Sequence, residues 1–179
     1  MAKQLILFRH AEAGPAASQS ADAMRELTGF GKEQARVMSE YFFRENIPVD
    51  AIFCSPSVRT RQTTKILIQR LSFDPARVFY PHELYDASLD ILVEILRDLD
   101  DAYHHIVVVG HNSALSYMAE YLTSSAVSLT TAAAAMVRLD IPRWREITKH
   151  KGALLHVETP AMQEESNRSN DQRRTDRTI

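Results

Sequence analysis

Residues 5–13 read Leu-Ile-Leu-Phe-Arg-His-Ala-Glu-Ala, an apolar run that passes without a spacer into two basic side chains. Four apolar residues in succession, with no polar alternate, suit a strand covered on both faces. The construction recurs at 106–112, Ile-Val-Val-Val-Gly-His-Asn, and in weaker form at 51–59, where Ala-Ile-Phe-Cys leads through Ser-Pro-Ser-Val to Arg59. Between these runs the apolar spacing changes to threes and fours. Ala35, Met38, Tyr41 and Phe42 predict a helix over 31–45, ended by Asn46 and Pro48. Val58, Gln62, Ile66 and Leu67 predict a second helix. Ser88 can cap a third, in which Leu89, Leu92, Val93, Leu96 and Leu99 form the buried stripe, and a fourth covers 114–122. Shorter runs at 78–80, 136–139 and 153–157 predict a third strand and two late strands at the sheet's edge. Strands and helices in alternation build an α/β fold, a three-layer α/β/α sandwich around a mostly parallel central sheet.

The totals bound this reading. A chain of 179 residues fits one domain, which hides roughly 70% of its unfolded surface without a metal or disulfide staple. Cys54 has no internal partner, and no long apolar run marks a signal peptide or membrane helix, so a cytoplasmic setting is expected. Lys and Arg number 21 against 23 Asp and Glu, a net charge of −2 that recruits neither nucleic acid nor an anionic membrane. Attraction for anions must be local. From Pro160 the composition turns to Met-Gln-Glu-Glu-Ser-Asn-Arg and similar polar residues, with too little apolar surface to offset ordering entropy. The expected division is a folded domain over 1–158 and a disordered tail over 159–179.

Each strand of interest delivers its charge at the carboxyl end. Arg9 and His10 follow Phe8, Arg59 lies one helical turn beyond Cys54, and His111 follows Val109 after one glycine. In an open parallel sheet these ends share one edge, where ligands bind. Arginine forks grip the oxygens of an oxyanion in pairs, and Glu12 is the one acid within these motifs, so the set favours phosphate over a metal cation. Helix amino ends after Ser55 and Gly110 would add backbone donors. Phosphoryl transfer asks for little beyond such positioning and charge neutralisation. The nucleophile would come from His10, His111, Ser55, Ser57, Ser113 or Cys54. Nearby arginines keep a histidine neutral and nucleophilic. A serine elbow needs Gly-x-Ser-x-Gly, which Gly110-His-Asn-Ser113-Ala misses by one place. A cysteine phosphatase loop needs five residues between Cys and Arg, whereas Ser55, Pro56, Ser57 and Val58 are all that separate Cys54 from Arg59.

The stretches LILFRHAEA, LTGFGKEQA, SPSVRTRQT and VVVGHNSAL, in this order and spacing, resemble the histidine phosphatase superfamily, the phosphoglycerate mutase-like group. The likeness covers residues 3–158 and favours the short phosphohistidine phosphatases of the SixA kind, which share a segment similar to Leu84-Tyr85-Asp86-Ala87. It implies the phosphoglycerate mutase-like fold, with an antiparallel edge strand, and a cofactor-free, metal-free hydrolysis. His10 would carry a phosphohistidine intermediate, while Arg9, Arg59 and His111 would hold the phosphoryl oxygens. Glu12 stands as a pocket-rim acid orienting His111 or as a plain loop charge. Members of the wider group use a glutamate general acid after the third strand; here Glu83 and Asp86 are the candidates, and neither is singled out. Ala11, where many members have glycine, would place a methyl near the pocket floor.

Protein phosphohistidine is the substrate this resemblance favours. The alternatives are a small-molecule phosphomonoesterase acting on a phosphorylated metabolite and a non-catalytic phosphate-binding module. The passage from Arg59 to His111 leaves no room for a long lid, which suits a phosphate presented on another protein. His104 and His105 face opposite ways on a strand and make no metal pair. Cys54 reads as a small core residue. Residues 130–135 read as packing before a strand in preference to the backbone donor near the phosphate that the resemblance suggests.

Overall fold

In the computed structural model, which describes residues 2–16 and 18–175, the run at 5–8 forms the interior of the first strand. In chain order the elements are β1 (Lys3–Arg9), α1 (Gly29–Arg44), β2 (Ala51–Cys54), α2 (Val58–Leu71), β3 (Val78–Phe79), α3 (Leu89–Arg97), β4 (His105–Gly110), α4 (Ala114–Thr123), β5 (Ala134–Leu139), β6 (Gly152–Glu158) and α5 (Pro160–Thr175). Short 3-10 turns lie at Gln19–Met24, Pro75–Arg77, His82–Asp86 and Trp144–Glu146.

The sheet runs β3-β2-β4-β1-β5-β6, with parallel pairing from β3 through β1. β6 closes the edge antiparallel to β5, and β5 is itself antiparallel to β1, so the reversal begins one strand inside the edge. Ala132 and Ala133 lead into β5, which opens with Ala134 and Ala135, and all four are fully buried. A run of alanine carries no β-branched signal, which is why the strand begins earlier than its sequence suggests.

Alternate β1 residues serve opposite layers. Leu5 and Leu7 join Ile106 and Val108 beneath α3 and α4, while Ile6 and Phe8 join Val107, Val109 and Ile52 beneath α1 and α2. Burial on both faces accounts for the unbroken apolar runs. Lys3 is buried as well, its Nζ donating to the carbonyls of Asp101 at 2.6 Å and Tyr103 at 2.8 Å. Asp50 fixes the start of β4, accepting from the backbone N–H groups of His104 at 2.7 Å and His105 at 2.8 Å.

The amino end of α1 locks the loop that follows β1. Thr28 caps the helix, its hydroxyl accepting from Gly31 N–H at 2.9 Å, and its backbone N–H donates to Glu12 O at 3.1 Å. Any Cβ at position 31 would stand 1.9 Å from Glu12 O, so the close approach requires glycine. Ala11 is fully buried in the core beneath α1, so its methyl belongs to the core packing and not to the pocket floor.

The tail departs from expectation. Over Pro160–Thr175 the segment read as disordered is helical, and residues 176–179 lie outside the described residues. Pro160 occupies the first turn, where its missing N–H is harmless. Gln163 is 6% exposed and accepts from Arg44 Nη2 on α1 at 2.7 Å. Docking through a polar group, with no apolar stripe, left nothing for a composition argument to find.

Candidate active site

Pairing of β1 with β4 and of β4 with β2 brings their carboxyl ends together. His10 N–H donates to Gly110 O at 3.1 Å, and Ser55 N–H donates to Val109 O at 2.9 Å. The imidazoles of His10 and His111 consequently stand with ring centroids 5.2 Å apart, inclined at 59°.

His10 is 8% exposed, and its Nδ1 lies 2.8 Å from Ala11 O. A carbonyl can only accept, so Nδ1 carries the proton and the Nε2 lone pair is left free to attack. Burial lowers the His10 pKa to about 4 against the supporting hydrogen bond to Ala11, and the charges of Arg59, Arg9 and Arg25 lower it further. The ring is neutral at pH 7. His111 is likewise pushed down to about 3, by burial first and then by Arg59. Its Nδ1 accepts from Arg59 Nη2 at 3.3 Å, so Nε2 is the protonated nitrogen and donates to Ser55 Oγ at 2.8 Å.

The two arginines are anchored differently. Arg9 Nη1 donates to Leu129 O at 2.8 Å, an acceptor shared with Asn112 Nδ2 at 2.8 Å. Ala132 N–H donates to His10 O at 3.0 Å, so the segment before β5 braces the nucleophile through backbone contact and packing. Arg59, 6% exposed, donates from Nη1 to Asp22 O at 2.7 Å and from Nη2 to Asp22 Oδ2 at 3.0 Å. The Nε–H groups of Arg9 and Arg59 are buried with no protein acceptor among the described residues. Donors in that state are well matched to phosphoryl oxygens.

All four central residues predicted from the strand ends are thus brought together, and the supporting residues differ from expectation. Glu12 does not hold His111. Its Oε1 accepts from Thr28 Oγ1 at 2.8 Å, and Ser55 supplies the partner to His111. Glu83 and Asp86 sit exposed on the 3-10 turn at His82–Asp86, while the acid in contact with Arg59 is Asp22, from the turn at Gln19–Met24. Burial acts to raise the Asp22 carboxyl, but hydrogen bonds from Arg25 and Tyr85 and the charge of Arg59 outweigh it and hold the group below its ordinary range. Asp22 and Tyr85 escaped the sequence reading. Asp22 lies in an Ala/Ser-rich loop whose one legible cue is the spacing of Asp22 and Arg25, which pair at 3.1 Å.

Cys54 has its thiol pushed up to about 12 by burial and donates to Ser55 O at 3.2 Å, so it is no nucleophile. Among the described residues no group of three or more His, Cys, Asp or Glu gathers as a metal site, and no helix is long and apolar enough to cross a membrane.

Comparison with known proteins agrees with this geometry. The profile of the histidine phosphatase superfamily (branch 1) matches residues 5–79. An uncharacterized protein of Mycobacterium tuberculosis is 35% identical over 117 residues, 64% of this chain and 68% of its own. Phosphohistidine phosphatase SixA of Escherichia coli is 23% identical over 140 residues, 76% of this chain and 86% of that one. A solved structure described as SixA, from Nakamurella multipartitia, superposes with a TM-score of 0.77 at 25% identity, covering 89% of this chain and 97% of the other. The profile spans the strand ends that deliver Arg9, His10 and Arg59, and the shared fold places His111 beside them, so this chain belongs to the histidine phosphatase superfamily.

Proposed function

We propose that this phosphatase removes the phosphoryl group from phosphohistidine on another protein, with His10 as nucleophile. The observation that carries the reading is the state of the acids. Asp22 is held ionised by Arg25, Tyr85 and Arg59, and Glu83 and Asp86 are exposed on the 3-10 turn, so among the described residues no buried acid is built beside the phosphoryl position as a proton donor. An alkoxide leaving from a sugar or glycerate needs such a donor. An imidazole already protonated on its second nitrogen departs neutral and needs none. The names of the SixA relatives support the same substrate class, and the short link between β3 and α3, residues 80–88, leaves the pocket open to a macromolecule.

In the first step His10 Nε2 bonds to phosphorus while the bond to the substrate imidazole breaks, its electron pair returning to that ring. Arg9 and Arg59 neutralise the non-bridging oxygens throughout. In the second step water oxygen bonds to phosphorus, the bond to His10 Nε2 breaks, and the released water proton passes to solvent. The reading further places the protein in the cytoplasm, where a single buried thiol such as Cys54 stays reduced.

Turnover of a phosphohistidine-bearing domain, set beside sugar phosphates and an aryl phosphate, tests this. The expected result is a higher kcat/KM on the domain, lost in a folded His10→Ala variant, with a base-stable, acid-labile phosphate trapped on His10 after brief exposure to labelled substrate. Preference for sugar phosphates by orders of magnitude would overturn the substrate class.

A further inference from the structure

Past His111 the phosphoryl pocket opens into a cavity of about 350 Å³, bounded by the 3-10 turn at His82–Asp86 and the start of α3 on one side and by the start of α4 on the other. The chemistry described above makes no use of it. Its floor is aliphatic, with Leu84, Leu92 and Leu115 each at most 2% exposed. Two tyrosines form its walls. Tyr85 stands edge-on to His111, ring centroids 6.1 Å apart at 88°, held there by its hydroxyl donating to Asp22 Oδ2 at 3.0 Å. Tyr117, on α4, is 57% exposed and leaves one broad face of the cavity uncovered.

The charge of this chamber is opposite in character to that of the pocket it joins. No lysine or arginine lines it, Asp86 is its one charged side chain, and His111 is neutral because its pKa is pushed down to about 3. A second phosphate or a carboxylate entering here would meet the Asp86 carboxylate and no lysine or arginine, with Ser88, Asn112 and Ser113 at the helix starts as its polar partners. An apolar or aromatic group meets no such penalty and covers the exposed tyrosine face. The volume lies near the lower end of the range for small-ligand sites, room for one large side chain.

Resting on the reading of this protein as a phosphohistidine phosphatase, we infer that the cavity is a side-chain subsite, receiving the apolar or aromatic residue that neighbours the phosphohistidine of the substrate protein. Phosphohistidine segments flanked by such residues are selected over segments flanked by acids. Tyr117 and the leucine floor supply the attraction, and Asp86 supplies the rejection.

The test uses the full chain and phosphohistidine peptides identical except for one flanking residue, Leu, Phe or Glu. The expected result is a kcat/KM roughly tenfold higher for the Leu and Phe peptides than for the Glu peptide, expressed in KM, as one well-buried side chain provides. Tyr117→Ala, at an exposed position that the fold tolerates, brings the ratio toward one. Asp86→Lys places a cation in the chamber and turns the preference toward the Glu peptide. Equal hydrolysis of all three peptides, or a ratio that neither substitution moves, overturns the subsite while leaving the phosphatase reading intact. If no peptide is hydrolysed while an aryl phosphate is, the phosphohistidine reading falls, and the subsite with it.

Discussion

Arg59 presents its two terminal nitrogens to Asp22, one to the backbone oxygen and one to the carboxylate, at the position from which a phosphoryl group would be held. Two anions cannot share one fork without repulsion, so phosphate binding has to displace or crowd the resident carboxylate. Asp22→Ala should therefore tighten orthophosphate binding about five- to thirtyfold, the equivalent of 1–2 kcal/mol, in isothermal titration. Weaker binding would show instead that the carboxylate chiefly orients Arg59. The four central residues were legible in the sequence because each follows an apolar strand closely enough for the sheet edge to collect it. The roles of Asp22, Ser55 and Tyr85 were not, since they arise from contacts distant in sequence, 37 residues from Asp22 to Arg59, 56 from Ser55 to His111 and 63 from Asp22 to Tyr85. Glu12 shows the opposite case: closeness to His10 in sequence left it either a rim acid orienting His111 or a loop charge, and its carboxylate, taken up by Thr28, fits the second.

At the scale of elements, periodicity located β1, β2, β4 and the helices α1 to α4, because both sheet faces are covered and α1, α3 and α4 each bury a mainly apolar stripe. In α2 the buried face is Arg59, Thr60, Thr63, Thr64 and Leu67, so of the expected face of Val58, Gln62, Ile66 and Leu67 only Leu67 is fully covered. Boundaries were less well read where alanine carries the chain, as at the start of β5, and where a polar contact seats a helix, as with α5. The junction between α1 and the loop after β1 carries the strongest local constraint. Gly31→Ala sets a methyl 1.9 Å from Glu12 O, a backbone atom that can move only by shifting the loop that carries His10. Overpacking of this kind costs about 1–3 kcal/mol or more, so thermal unfolding should show a clearly lowered Tm, accompanied by reduced kcat even below the transition. Thr28→Ala removes the helix cap at about 1 kcal/mol and leaves the glycine contact in place, which separates loss of the cap from displacement of the loop.

The whole molecule keeps two neutral imidazoles buried against two guanidinium groups, and this makes its stability depend on pH. In the unfolded chain a histidine takes up its proton near pH 6.5, whereas in the folded protein His10 and His111 wait until about 4 and about 3. Across that window the unfolded state binds more protons, so stability falls as pH drops from 6.5 toward 3. Urea unfolding at stepped pH should show this decline, and the doubly substituted His10→Gln, His111→Gln protein should show less of it. Residues 80–88 alone join β3 to α3, a link too short to form a long lid. With no long segment to swing aside there, the phosphorylated nucleophile of the proposed reaction is expected to meet water without a slow opening step, so that its lifetime is set by its own bond breaking. An enzyme able to shelter its phosphoryl group can hand it to a waiting alcohol; on the function proposed above, one without such shelter gives it up to water.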